Sequence, residues 1–267
     1  MTGTSGRPPR VSVLMSAFNA ESSIARAVES IRAQEFEDWE LLIVDDGSTD
    51  TTGAILHAIA RTDARVHVLV HERNLGLPTS LNHALSLVRG DLVARMDGDD
   101  VALADRFRRQ VEFLDVHPEI DVLGGGALEV THDGRPLGEL RRAEHHEQLI
   151  ARIFTENPFI HPTIMARRTV FERLGGYDVT CRRGQDYELW LRAYRMFRFH
   201  NLPRPLIHYA RRDRSRWRDA RHSSRIVLRA LQRENRLWPD GWLAARPLAA
   251  TTWERIRGTF AGSRRGA

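Results

Sequence analysis

The chain contains no lysine, so all 40 of its Lys and Arg residues are arginine. This absence excludes a P-loop, which needs a lysine against the phosphates, and a pyridoxal-phosphate enzyme, which needs one for its Schiff base. It also excludes a receiver domain, which needs a lysine beside its acidic residues. Cys181 is the single cysteine, so the chain cannot form an internal disulfide, and a reducing compartment is expected.

Long apolar runs are also missing, although hydrophobic residues make up 42% of the 267 positions. This content can bury a sizeable core in one large or two small domains. Every apolar run is far shorter than the ~20 residues that span a bilayer. We therefore expect a cytoplasmic protein. The net charge of +5 is concentrated late, between Arg204 and Arg236, and indicates an anionic partner for this part of the chain.

Apolar segments alternate with amphipathic segments through the first hundred residues. Predicted strands cover 11–16, 39–44, 66–70 and 91–96, and predicted helices cover 21–33, about 50–60 and 78–88. This alternation predicts an α/β fold with a parallel sheet and helices on both faces. Ligands bind such sheets at the carboxyl ends of the strands, so a site is expected at that edge.

The later part of the chain has a less regular pattern. Predicted helices cover 103–116, 144–154 and 185–196, with strands at 120–124, 163–166, 199–202 and 206–209 and a hairpin around Asp133-Gly134. Pro203 and Pro205 are expected to separate the last two strands. We predict one catalytic domain, residues 1–212, followed by an Arg- and Trp-rich helical tail, residues 213–267.

An acidic cluster, Asp97-Gly98-Asp99-Asp100, follows the fourth predicted strand. Along an extended chain, Asp97 and Asp99 project to the same side and could present oxygens to one point. Anionic oxygens suit Mg²⁺ or Mn²⁺, which bind through one or two carboxylates and the phosphates of a substrate. The alternative is an acidic surface turn. A second acidic pair, Asp45-Asp46, at the end of the second predicted strand favours a functional site, because two adjacent acids there repel each other without stabilising the fold.

Several motifs together resemble glycosyltransferase family 2, the inverting enzymes of GT-A fold, from Val11 to about Arg212. The matching segments, in order, are VSVLMSAFNA, WELLIVDDGSTDTT, RNLGLPTSLNHAL, GDLVARMDGDD, RFRRQVEFL, NPFIHPTIMARR, GGYD and QDYELWLR. The resemblance implies a GT-A (Rossmann-like) mixed, mostly parallel sheet. It also implies metal-assisted transfer from a UDP- or dTDP-sugar to a hydroxyl of a saccharide or polyprenyl-linked saccharide, in polysaccharide biosynthesis of the cell envelope.

The resemblance also implies residue roles on the donor side. Asp46 is expected to accept a hydrogen bond from the ring nitrogen of uracil or thymine, with Asp45 behind it or toward the ribose. Asp99 is the main expected metal ligand, and Asp97 is expected at the ribose, the metal or its water. The base is expected beside Ser16, Ala17 and Phe18, where Phe18 replaces a tyrosine common in the family. Asp100 is expected to orient the next segment.

Asp186 is the candidate general base, since the family uses an acid here to deprotonate the acceptor hydroxyl. The family usually has Glu-Asp at this point, and Gln185 departs from that pattern. An aspartate of ordinary pKa is ionised at neutral pH and ready to accept a proton. The alternative is an acid that complements the dipole of its own helix.

Other polar residues have two open interpretations each. Arg73 and Arg95 would contact phosphate or form structural ion pairs. Asn82 would serve nucleotide-sugar binding by bonding the strand-end loops, or would only be a polar residue on a helix face. His161 would contact acceptor or phosphate, or fill a polar pocket. Arg212 occupies the position where the family often has a histidine, which removes a third metal ligand and makes Arg212 a candidate phosphate contact.

The tail and the overall function also leave alternatives. The tail helix could lie on the anionic inner face of the cytoplasmic membrane or pack on the enzyme with a solvated basic face. No aromatic–basic pattern indicates nucleic acid. A sugar-1-phosphate nucleotidylyltransferase would also need an acidic metal site, but it expects a Gly-rich loop with Arg and Lys. A non-catalytic nucleotide-sugar-binding module is the third hypothesis, and an intact Asp186 disfavours it.

Overall fold

The computed structural model describes residues 7–131, 134–211, 216–234, 243 and 245. Its strands are β1 (Val11–Ala17), β2 (Trp39–Asp45), β3 (Val66–Val70), β4 (Leu92–Arg95), β5 (Val101–Ala102), β6 (Val122–Val130), β7 (Pro136–Leu140), β8 (Met165–Arg167) and β9 (Phe199–Ala210). Its helices are α1 (Ile24–Arg32), α2 (Thr52–Ala60), α3 (Leu77–Leu85), α4 (Arg106–Val116), α5 (His146–Ala151), α6 (Arg168–Leu174), α7 (Gln185–Ala193) and α8 (Arg216–Arg233). A 3₁₀ turn covers His161–Thr163.

The strands of the described residues form one mixed sheet in the order β3-β2-β1-β4-β8-β6-β9-β5, with β7 paired to β6. The first four strands in that order are mutually parallel. Strand β8 is antiparallel to β4 and β6, and β9 runs parallel to β6. The carboxyl ends of β1, β2 and β4 and the turn before β8 therefore meet at one edge. The predicted α/β fold with a mixed, mostly parallel sheet is confirmed.

Apolar side chains cover both faces of the sheet. In β1, Val13 faces the core beneath α1, α2 and α4, and its neighbour Leu14 faces the core beneath α3 and α5 to α8. Both residues are fully buried, which explains why the parallel strands are continuous apolar runs. The prediction of helices on both faces is confirmed.

Strand β9 differs from the prediction, because it continues through both prolines as one strand. The pairing with β6 shifts register where Leu202 pairs with Gly125 and Pro205 pairs with Gly126, so the two residues between them form a bulge. A Cβ atom at Gly125 would lie 2.5 Å from Leu206 Cδ1, so a larger residue here would have to displace the buried Leu206 side chain. The predicted break was wrong because the bulge places Pro203 outside the ladder, and a second register shift follows directly after Pro205.

The described part of the tail packs on the enzyme. Ile226, Val227, Ala230 and Leu231 of α8 are buried in the same core as Trp190 of α7. Arg233 donates to Glu188 of α7 at 3.0 Å. This favours the packing alternative for residues 216–234; the side chain of Trp217, and Trp238, Trp242 and Trp253, lie outside the described residues. No described helix is both long enough and apolar enough to cross a membrane.

Candidate active site

The loops after β1, β2 and β4 are joined by hydrogen bonds into one continuous edge. The Ser48 hydroxyl accepts from the backbone N–H of Asn19 at 3.0 Å, and the Asn19 side chain accepts from Thr49 N–H at 2.9 Å. The Ser23 hydroxyl donates to the Gly98 carbonyl at 2.9 Å, which joins α1 to the acidic cluster. The polar segments predicted at separate strand ends therefore form one surface.

Asp46 is 2% exposed, and its carboxylate holds the loop that follows β3. Oδ1 accepts from Leu75 N–H at 2.9 Å and lies 2.8 Å from His71 Nδ1, and Oδ2 accepts from Gly76 N–H at 2.8 Å. Burial alone would raise the pKa of Asp46, but these hydrogen bonds outweigh it and hold the pKa below its ordinary value. A carboxylate can only accept, so His71 Nδ1 carries the proton in this pair.

Gly47 brings the turn after β2 directly against the same loop. Its φ of +73° favours glycine, and a Cβ atom there would lie 2.4 Å from the backbone carbon of Arg73. Arg73 itself is exposed at this rim. Asp45 is buried, and its Oδ1 accepts from Ser48 N–H at 3.0 Å. The two adjacent acids thus shape two different loops.

The carboxylates of Asp97, Asp99 and Asp100 form the candidate metal site. Ligand oxygens of these residues lie within 4.8 Å of one another. An all-oxygen, anionic donor set is the kind that Mg²⁺ and Mn²⁺ prefer, so the residues present fit a divalent cation. Buried Arg95 forms an ion pair with Asp97. Asp100 is 1% exposed and accepts from Ala210 N–H at 2.8 Å, so it holds the end of β9, and its expected role in orienting the segment that follows it stays a prediction.

His161 and Tyr177 form a buried pair of polar side chains. His161 Nε2 lies 3.0 Å from the Tyr177 hydroxyl. Burial first, and then the charge of Arg95, lower the pKa of His161 to about 4, while the carboxylates of Asp186 and Asp97 oppose this shift. Both acids therefore act on the same ring. A neutral, buried His161 favours the polar-pocket interpretation over a phosphate contact.

Asp186 lies half-buried in the first turn of α7. The Asn157 side-chain amide donates to Asp186 Oδ2 at 2.7 Å, and Asn157 Oδ1 accepts from Phe159 N–H at 3.2 Å. Asn157 thus orients the carboxylate from a separate segment. Gln185, the residue that departs from the family pattern, is buried beside it.

The remaining predicted residues occupy different environments. Asn82 donates to the Tyr177 carbonyl and accepts from Tyr177 N–H, both at 2.8 Å, so its amide holds the loop after α6 onto α3. Asp46 N–H donates to the Ala17 carbonyl at 2.8 Å. Ser16 is half-buried near the end of β1, and Phe18, directly after β1, is 48% exposed. Arg212 lies outside the described residues.

Sequence patterns did not identify several residues that support this site. Asn157 and Tyr177 lie inside NPFIHPT and GGYD, two of the segments that resemble the family, and this resemblance could have identified them. His71 had no such signal. Arg106, in RFRRQVEFL, is fully buried and donates to the Arg95 carbonyl at 2.9 Å. Burial lowers the pKa of Arg106 to about 9, and the nearby carboxylate of Asp100 opposes that shift.

Comparison with known proteins gives a family match over most of this region. The model of the family described as glycosyl transferase family 2 matches residues 12–175. EpsE of Bacillus subtilis (strain 168), whose name assigns it provisionally to the glycosyltransferases, is 37% identical over 202 residues, covering 74% of this chain and 72% of EpsE. The amylovoran biosynthesis glycosyltransferase AmsE of Erwinia amylovora is 33% identical over 187 residues, covering 68% of each chain.

Solved structures show the same fold at lower identity. S. aureus TarS 1–349 in complex with UDP-GlcNAc matches with a TM-score of 0.67 at 21% identity, covering 83% of this chain and 66% of that chain. The mannosyltransferase PcManGT from Pyrobaculum calidifontis, in complex with GDP-Man and Mn²⁺, matches with a TM-score of 0.67 at 19% identity, covering 96% of this chain and 81% of that chain.

Proposed function

The chain belongs to glycosyl transferase family 2 and is a glycosyltransferase, and on this premise we propose an inverting enzyme that uses a UDP- or dTDP-sugar. The proposed acceptor is a hydroxyl of a saccharide or a polyprenyl-linked saccharide. One observation carries the proposal: a single segment, residues 157–164, contacts both regions. The Asn157 amide donates to Asp186 Oδ2 at 2.7 Å, and the Ile164 carbonyl accepts from Arg95 N–H at 3.0 Å, two residues before Asp97. One short segment therefore links the strand that leads into the candidate metal ligands with the candidate base.

The donor nucleotide is proposed to lie along the loops after β1 and β2. Phe18 offers an exposed ring on which a pyrimidine base can stack. Because both oxygens of Asp46 already accept hydrogen bonds from the loop after β3, we propose that Asp46 positions this loop around the base as well as contacting the base. The Asn82 side chain accepts from Tyr177 N–H and so holds the loop after α6 on α3. Ser16, Ala17, Asp45 and Arg73 complete the proposed donor side.

The diphosphate is proposed to lie at the carboxylate cluster. Asp97 and Asp99 would hold a divalent cation, with Asp100 fixing the turn between them and β9. When bound, Mg²⁺ or Mn²⁺ supplies positive charge that stabilises the diphosphate as a leaving group. Arg95 holds Asp97 through an ion pair, which orients a carboxylate that several negative charges would otherwise repel.

Asp186 is proposed to remove the proton from the acceptor hydroxyl. The acceptor oxygen then bonds to the anomeric carbon, and the bond from that carbon to the phosphate oxygen breaks. The proton stays on Asp186, and the nucleoside diphosphate leaves with the electron pair. Attack opposite the leaving group inverts the anomeric centre. A positioned base of this kind typically contributes ~10²–10⁴-fold to rate.

The biological role is proposed from the relatives. The name of AmsE refers to amylovoran biosynthesis, so we propose that this chain adds a sugar to an extracellular or cell-envelope polysaccharide. Such an enzyme would act in the cytoplasm, where nucleotide sugars are made, with contact at the inner membrane face if its acceptor is polyprenyl-linked.

The decisive experiment measures turnover of a panel of UDP-, dTDP- and GDP-sugars with Mn²⁺ or Mg²⁺. GDP-mannose is included because PcManGT was solved with it. We expect sugar release or transfer that EDTA abolishes and that Asp99→Asn lowers at least tenfold. The matched control is Asp115→Asn, because Asp115 is a surface acid 52% exposed in its side chain, and it should keep normal turnover.

Other outcomes would replace the proposal. Release of pyrophosphate from a nucleoside triphosphate and a sugar 1-phosphate would identify a nucleotidylyltransferase. Donor binding without turnover across the whole panel, with and without added acceptors, would identify a binding module. Equal activity of wild type and Asp99→Asn at limiting Mn²⁺ would remove the carboxylate cluster from the reaction.

A further inference from the structure

We propose that Glu144, His145 and His200 form a second metal site, one that binds Zn²⁺ in preference to Mg²⁺. The site is separate from the carboxylate cluster of the proposed reaction. The two groups share no residue, and His200 lies near the start of β9, whereas Asp100 of the carboxylate cluster accepts from Ala210 N–H at the end of β9. The proposal does not depend on the proposed function.

The side chains are close enough to share one ion. Ligand atoms of the three residues lie within 4.8 Å of one another, and His200 Nε2 lies 3.7 Å from Glu144 Oε1. Zinc–nitrogen and zinc–oxygen bonds are about 2.0–2.2 Å long, so two ligands of one tetrahedral ion are roughly 3.4 Å apart. Small side-chain rotations would therefore bring the three groups onto Zn²⁺.

Backbone contacts hold the ligands together. His145 and His200 pair in an isolated antiparallel bridge, and Asn201 N–H donates to the Glu144 carbonyl at 2.9 Å. The Phe113 ring stacks on His200 with centroids 4.7 Å apart and an interplanar angle of 23°. Because the backbone and an aromatic ring already position the ligands, binding needs little additional ordering of the chain.

The chemistry of the donor set selects the metal. Two imidazoles and one carboxylate are a known Zn²⁺ ligand set, which leaves a fourth position for water. Imidazole nitrogen suits Zn²⁺, whereas Mg²⁺ requires oxygen ligands. His145 is exposed and the Glu144 side chain is 40% exposed, so an ion can enter from solvent. The two clusters of this chain therefore favour different cations.

Binding would join two segments that are distant in sequence. Glu144 and His145 precede α5, and His200 is the second residue of the long strand β9. The neighbouring Asn201 side chain also donates to the carbonyls of Ala143 and Pro158, at 2.9 Å and 3.0 Å. A bound ion would therefore reinforce an existing junction and raise the stability of the folded chain.

Calorimetric titration of untagged, metal-free protein with ZnCl₂ tests the proposal. Asp99→Asn protein in excess Mg²⁺ is used throughout, so that the carboxylate cluster does not contribute. We expect one saturable Zn²⁺ per chain and a higher unfolding temperature with Zn²⁺. Changes beside a metal site alone cost about 10–100-fold in affinity, so His145→Ala and His200→Ala should each weaken binding at least about 100-fold.

The control variant is His57→Ala, which removes an exposed histidine of α2 and should leave Zn²⁺ affinity unchanged. If His200→Ala fails to fold, His145→Ala still tests the proposal, because His145 is exposed and its replacement should leave the fold intact. Absence of saturable Zn²⁺ binding would overturn the proposal. Equal affinity of His145→Ala and the parent protein would overturn it too.

Discussion

Asp46 and Asp186, which the proposed reaction assigns to the donor and to the acceptor, are held in different ways by the protein. Asp46 is buried and receives hydrogen bonds from three positions of one loop, and those bonds lower its pKa. Asp186 is half-buried and is held through one oxygen by Asn157. In the proposed reaction, the donor side is thus organised by a buried carboxylate, whereas the acceptor side is assigned a half-buried one.

The difference indicates a division of labour. A carboxylate that accepts several hydrogen bonds is stabilised as the anion and is a weak base, which suits positioning. A carboxylate with fewer protein donors can accept a proton from substrate. Three substitutions and one pH dependence test this comparison, from the largest expected effect to the smallest.

The largest effect is expected for Asp186→Asn. The substitution keeps the size of the side chain but removes its ability to take a proton, so kcat should fall about 10²–10⁴-fold. Donor affinity, measured by calorimetry with the nucleotide sugar and Mn²⁺, should stay within about twofold because Asp186 is assigned to the acceptor. Near-normal turnover would remove Asp186 from the proposed reaction.

Asp46→Asn should act mainly on stability and donor binding. An amide leaves at least one of the buried donors of His71, Leu75 and Gly76 unsatisfied, so unfolding free energy should fall by about 3 kcal/mol. Urea unfolding measures this loss, and KM for the donor should rise. Asp115→Asn, which breaks a surface pair with Arg10, should cost less than about 1 kcal/mol. Equal effects of the two variants would contradict the positioning role.

Asn157→Ala should have a smaller effect, confined to turnover. It removes a hydrogen bond to a charged group worth about 1.5 kcal/mol, which corresponds to roughly tenfold in kcat. In an Asp186→Asn background the same change should cost little, because the two residues act through one contact. Additive losses in the double variant would show that Asn157 acts independently of Asp186.

The smallest effect is an acid dependence of stability contributed by Asp46. The folded-state pKa lies below the ordinary value of 3.8, so the stabilisation is complete above pH 3.8 and is lost as pH falls through the lowered pKa. The stability difference between wild type and Asp46→Asn should therefore be constant from pH 7 to pH 5 and shrink below about pH 3.8. Urea unfolding across this range measures it, and a difference that grows in acid would contradict the prediction.

Much of the first hundred residues could be predicted from the sequence. Strands β1 to β4 lie where β-branched and apolar runs predicted them, because strands buried on both faces must be apolar throughout. Helices α1 and α4 begin at Ile24 and Arg106, three residues later than predicted in each case. Helix ends are less certain because their first turns compete with local side-chain bonds, such as the one from the Ser23 hydroxyl to the Ala20 carbonyl just before α1.

Contacts between distant segments could not be predicted in the same way. Strand β9 crosses two prolines because Gly125 and Gly126 on another strand accommodate a bulge. Asn157 reaches Asp186, and Asn82 reaches Tyr177, across long stretches of chain. Nothing in the local pattern of either partner indicates the other.

The order of strands and helices, and the presence of acids after β2 and β4, could be predicted from the sequence. Burial of apolar side chains imposes a periodic pattern on consecutive residues, and that pattern can be recognised without the fold. The environment of each acid needed the fold. Hydrogen bonds and electrostatic effects depend on distances of a few ångströms, and those distances are set by how loops from different strands pack at one edge of the sheet.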